Sequence, residues 1–177
     1  MSLVLAVGCT TNTPASPAPG SPTSPALTVT STRAVERIAF RTLARGFRLG
    51  GSLSQPTLLV ATDPAGRDAL SALVAGDHRA LIEAVDLQQE ALLAVFRGTM
   101  PFGGFSITID SVSIADTEIV MEVTLRDDDP AFGKIEAATL PYHVVAIDRS
   151  ALLQSHNWRY RLMSGTTRLA AGELSLR

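Results

Sequence analysis

From residue 35 onward the apolar positions fall into short runs separated by glycine, proline and acidic clusters, and most runs carry the two-residue spacing of strands. In residues 35–44, Ile38 and Phe40 alternate with small or polar residues, which predicts a first strand ending at Gly46. Residues 48–52 read as a turn and residues 57–62 as a short strand. Asp63-Pro64 then opens the clearest helix. Asp63 suits the N-cap, Pro64 the first helical position, Leu70, Leu73 and Val74 fall on one face, and Gly76 is expected to end it. A second helical turn is expected around residues 81–84. Residues 91–96, Ala-Leu-Leu-Ala-Val-Phe, form an unbroken apolar run, which predicts a buried central strand. Residues 105–110 alternate strictly and Val112 and Ile114 fall out of phase, so a β-bulge is expected near Ser111. Further strands are expected at 119–125 and 142–148, with a loop at 127–133 between them. At 158–162 aromatic residues alternate with arginine, Trp158 and Tyr160 facing the core, and Ser164-Gly165 turns the chain into a last strand at 167–176. Seven or eight strands with one main helix predict a mainly-β (α+β) domain over residues 34–177, a two-layer, β-sandwich-like antiparallel fold.

The first thirty-three residues follow none of these periods. Residues 10–32 contain Pro14, Pro17, Pro19, Pro22 and Pro25 among Ser, Thr, Ala and Gly, and no charged side chain. Proline removes amide donors and restricts the residue before it to extended conformations, and the apolar density is too low to offset ordering entropy. Residues 9–33 are therefore expected to be a disordered, semi-stiff linker. Ahead of it, Leu5-Ala6-Val7-Gly8-Cys9 resembles the lipobox of bacterial lipoproteins, with Ala6 where leucine is commoner. The resemblance implies that Cys9 is acylated and becomes the first mature residue, held to a membrane in the cell envelope outside the cytoplasm. Residues 1–8 would then be a truncated signal segment. They lack the positive n-region of a complete one, so the true start is expected upstream.

Composition removes several classes of function. Net charge is −2 and no Lys/Arg block occurs, which argues against nucleic-acid binding. One cysteine allows no intrachain disulfide. There is no Gly-x-Ser-x-Gly elbow, and His78, His143 and His156 lie far apart without a His-x-x-x-His pair. Asp127-Asp128-Asp129 invites a calcium reading, but Phe132 and Ala138 stand where an EF-hand requires glycine and glutamate, so a solvated loop is the default reading and weak calcium affinity the lesser one. No catalytic residue, metal site or cofactor is expected.

Three features of the middle of the chain occur together. Gly98 is followed by Thr99-Met100-Pro101-Phe102-Gly103-Gly104-Phe105. The alternating strand Ser106-Ile107-Thr108-Ile109 then leads to Val112, and Leu140-Pro141-Tyr142-His143-Val144-Val145-Ala146-Ile147 comes later. Over residues 91–149 this combination resembles the PrcB family, accessory subunits of bacterial surface protease complexes. The resemblance implies a non-catalytic, lipid-anchored subunit whose partner is a secreted or surface protease.

The same residues also have readings of their own. Gly103-Gly104 permits the backbone freedom of a bulge or hairpin, a structural need weighted above a binding loop. Pro141 suits the first position of a strand, Tyr142 shares a face with Val144 and Ala146, and His143 shares the other with Val145 and Ile147. Pro141, Tyr142 and His143 are thus expected to be structural. If a surface binds a partner, Phe102, Gly103, Gly104 and Phe105 are the candidates, with Asp127, Asp128 and Asp129 beside them, because aromatic anchors carry binding energy and charged rims set encounter rate and orientation. Two other readings stay open. A protease-inhibitor-like β module would insert the 102–105 loop into a cleft, as inhibitors of the chagasin type do. A ligand-binding surface lipoprotein unconnected with proteases would instead show a concave apolar pocket.

Overall fold

The computed structural model describes residues 35–133, 135–153, 155 and 157–176. The signal segment, Cys9 and the linker lie outside the described residues, as does His156.

Among the described residues, nine strands form two sheets. Strands β1 (Glu36–Ile38), β5 (Ser106–Ala115), β6 (Glu118–Arg126), β8 (Asn157–Ser164) and β9 (Thr167–Ser175) make a five-stranded sheet in the order β1-β5-β6-β8-β9. Strands β2 (Phe40–Leu49), β3 (Thr57–Ala61), β4 (Glu90–Phe96) and β7 (Thr139–Asp148) make a four-stranded sheet in the order β2-β7-β4-β3. Helices α1 (Pro64–Ser71) and α2 (Gly76–Glu83) contribute Leu70 and Ile82, and the segment between them Val74, to the core on the outer face of the four-stranded sheet. The fold is the mainly-β sandwich that the alternation predicts, with helical segments added to one side.

The two inner strands explain the unbroken apolar runs. Every residue of β4 after Glu90 is buried, and so is every residue of β7 before Asp148. Leu93, Val95, Val145 and Ile147 enter the core between the sheets, whereas Leu92, Ala94, Phe96, Tyr142, Val144 and Ala146 enter the core under the helices. A strand covered on both faces has no polar side to show, which is why its sequence does not alternate. Each large apolar side chain so buried contributes about 1.5–3 kcal/mol. The five-stranded sheet alternates instead, as β6 shows with Ile119, Met121 and Val123 buried and Thr124 exposed.

Several boundaries differ from the sequence expectation. The first strand is two: β1 pairs with β5, Ala39 breaks the run, and β2 pairs with β7 in the other sheet, continuing past Gly46 to Leu49. The helix expected to end at Gly76 stops at Ser71, and Gly76 opens the next one. The amide of Ala75, just before it, donates to the Tyr142 hydroxyl at 3.0 Å, which fixes an extended residue between the two helices. One pairing is parallel, β6 with β8, because β7 returns the chain through the opposite sheet before β8 begins. The β5 bulge lies where the phase shift puts it, between Ile109 and Ser111.

Candidate functional site

The loop after β4 and the loop after β6 meet at one end of the sandwich, and Arg97 joins them. Its amide donates to Pro141 O (3.0 Å), which places it at the end of an inner strand, and only 12% of its side chain is exposed. The guanidinium donates to Arg126 O (2.6 Å) and Ser106 O (3.2 Å) and pairs with the Asp127 carboxylate. It also lies over the Phe105 ring, 4.9 Å from the centroid, and the Phe102 ring packs on Phe105 at 4.9 Å. Arginine is suited to this position, since its planar fork bonds several acceptors while its face stacks on an aromatic ring.

Main-chain bonds complete the arrangement. Gly103 N donates to Ile135 O (2.7 Å), Asp129 N to Gly104 O (2.8 Å) and Thr139 Oγ1 to Phe102 O (3.0 Å). Met100 and Thr139 exchange amide bonds of 2.7 and 2.9 Å. The glycines answer two separate needs. A Cβ at Gly103 would lie 2.8 Å from Ile135 N, and Gly104 has φ +92°, where side chains are strained. Both are buried, so neither offers surface to a partner.

The structure therefore brings the aromatic and acidic candidates together and sorts them. Phe102 is half exposed and Phe105 is tucked beneath Arg97. Asp127 is held by Arg97. Asp128 is exposed with no partner among the described residues. Asp129 is buried and caps the 3-10 turn Pro130–Phe132 by accepting from Ala131 N (3.1 Å). The neighbouring Ser106 hydroxyl and then the Ala131 amide hold its carboxyl below the usual carboxylate range. With the three carboxylates engaged differently, they do not form one cation cage. Among the described residues no three His, Cys, Asp or Glu side chains are grouped to hold a metal ion. Asp129 does line a polar hollow of about 250 Å³ with Arg45, Thr108, Asp110, Thr124 and Arg126.

Pro141, Tyr142 and His143 lie just behind this end, in β7. The Tyr142 hydroxyl accepts from Ala75 N and sits 2.6 Å from His78 Nδ1, so it ties the sheet to the start of α2, and burial pushes its phenol pKa up. His143 points the other way. Its Nδ1 accepts from Ile109 N (2.8 Å), which leaves the ring proton on Nε2, 3.0 Å from Thr42 Oγ1. Burial, reinforced by the nearby Arg45 charge, lowers its pKa from 6.5 to about 4, so the ring is neutral near pH 7. His78 and His143 thus serve opposite faces of one strand and do not converge.

Sequence reasoning missed Arg97, Leu49 and Ile135. A lone arginine after a strand has no pattern of its own. Leu49 and Ile135 reach the same end only because Leu49 pairs with Thr139 and Gly103 bonds Ile135. Glu36 pairs with Ile114, at the other end of β5 from Ser106, so β1 begins at the opposite pole of the sandwich. Among the described residues no helix is long and apolar enough to cross a membrane.

Residues 91–148, from the second residue of β4 to the end of β7, match the PrcB C-terminal family. This is the stretch in which the Gly-Gly-Phe and Pro-Tyr-His resemblances were read, and it contains both loops that Arg97 joins. No curated protein and no solved structure matches the chain.

Proposed function

We propose that this chain is a non-catalytic accessory subunit that binds a secreted or surface protease and is held at a membrane through acylated Cys9. The match to the PrcB C-terminal family carries the reading, because it covers both loops that Arg97 joins. The two histidines in the described residues support it, since each is engaged in tying layers together. The lipobox-like Leu5-Ala6-Val7-Gly8-Cys9 supports the anchor.

The test is purification from detergent-solubilised membranes of the native host through a C-terminal tag. A secreted protease is expected to co-purify, its activity is expected to decay faster when the subunit is deleted, and mass spectrometry is expected to find a mature chain beginning at acylated Cys9. A tagged chain that repeatedly comes out alone defeats the protease reading. A stoichiometric fall in protease activity on adding the chain would replace it with inhibition.

A further inference from the structure

Among the described residues, the end of the sandwich carrying the 97–105 and 127–138 segments keeps three large apolar side chains in solvent: Leu49 (59% exposed), Phe102 (50%) and Ile135 (36%). They come from three separate segments, which the Leu49–Thr139 pairing and the bonds from Thr139 Oγ1 to Phe102 O and Gly103 N to Ile135 O hold side by side. Phe102 contributes little to the core, yet its ring is seated on Phe105 and, through it, on Arg97. An anchor already fixed in place loses little freedom on binding, the condition under which an exposed aromatic gives most affinity.

The charges at this end differ in how they are engaged. Arg97 is neutralised by Asp127. Asp128, which precedes the Asp129 amide bonded to Gly104 O, and Glu136, which follows Ile135, are exposed carboxylates without partners among the described residues. We infer that this end is a docking surface for one exposed loop of a partner protein, which presents an apolar side chain flanked by Lys or Arg. A second copy of the chain fits poorly, because an isologous contact would gather both copies of Asp128 and Glu136 into one interface. An anionic bilayer would be repelled by the same carboxylates.

The inference deepens the protease-subunit reading by giving the chemistry of the partner's contact, and it can be tested apart from it. Random peptides displayed on phage are selected on the immobilised full chain. Selected peptides are expected to carry Phe, Leu or Ile with Lys or Arg within two positions. Phe102→Ala and Leu49→Ser are each expected to weaken a selected peptide about tenfold. Asp128→Lys combined with Glu136→Lys is expected to weaken it several-fold at low salt and much less at 0.5 M salt, because rim charges are screened. Leu49→Ser and the double lysine variant should melt within about a degree or two of the parent, and Phe102→Ala within a few degrees, since half of that ring rests on Phe105. Failure to select any peptide overturns the inference. So does selection of peptides without basic residues, unchanged binding by the variants, or Phe102-dependent self-association or binding to anionic vesicles. A protease that co-purifies equally with the Phe102→Ala chain removes the docking surface and leaves the protease reading standing. Basic-apolar peptides selected with no protease recovered from membranes would do the reverse.

Discussion

His143 sits where two sheets meet, and its hydrogen bonds favour the neutral ring. Nδ1 faces an N–H donor from Ile109, so a proton added there would meet another proton. The folded pKa of about 4 lies below the ordinary 6.5, so the unfolded chain takes up this proton first as pH falls. The contribution to stability is fully present above about pH 6.5, declines between 6.5 and 4, and levels off below. Its full size is about 3 kcal/mol at 1.36 kcal/mol per unit. Asp129 and Asp148, whose carboxyl pKa values are lowered below 3.8, act in the same direction only at more acid pH. Urea midpoints measured from pH 4 to 7.5 should therefore slope upward, and His143→Leu should flatten the slope while lowering stability overall, because Ile109 N loses its acceptor. Gly103 gives a second prediction at this scale. Gly103→Ala would place a methyl 2.8 Å from Ile135 N, 3.0 Å from Ile135 Cβ and 3.1 Å from Gly133 O, so the loop must shift. A loss of about 1–3 kcal/mol in denaturant unfolding is expected. Both glycines were legible as backbone requirements. The His143 contact was legible only as a facing, since what the ring meets depends on the opposite sheet.

Among the elements, those set by neighbouring residues in sequence were read well and those set by distant partners were not. Asp63 caps α1 as its position before Pro64 suggests, accepting from Gly66 N at 2.7 Å. Asp63→Ala should cost about 1 kcal/mol, measured by urea denaturation, with most of the loss restored by Asp63→Ser. The bulge between Ile109 and Ser111 was visible because a phase change in alternation is a local signal. The division of β1 from β2 at Ala39 was not, since Ile38 and Phe40 keep the same alternation across the point where the chain changes sheets. Neither was the break between α1 and α2, which depends on a tyrosine 67 positions from Ala75 in sequence.

For the whole molecule, alternation and apolar runs were enough to predict a sandwich, because the number of ways to cover amphipathic strands is small. They could not reveal that helices cover β4 and β7 on their second face, or that β6 and β8 run parallel; both follow from the order in which the chain visits the sheets. The exposed end was half legible. Phe102 and the aspartates stood out by residue type, but Leu49 and Ile135 join them only after folding. That same order of visits has a mechanical outcome. β1 is held to β5 in the five-stranded sheet by three residue pairs, and β2, beyond Ala39, to β7 in the four-stranded sheet by nine. A load applied upstream of residue 35 pulls on the weaker ladder first, end on, and meets the stronger one only after β1 has peeled away. Optical-tweezer traces pulled from the N-terminus should show a short reversible extension before the main rupture, and Ile38→Pro should abolish it without lowering the main rupture force. A domain so wired yields a little slack under tension before its folded body is put at risk.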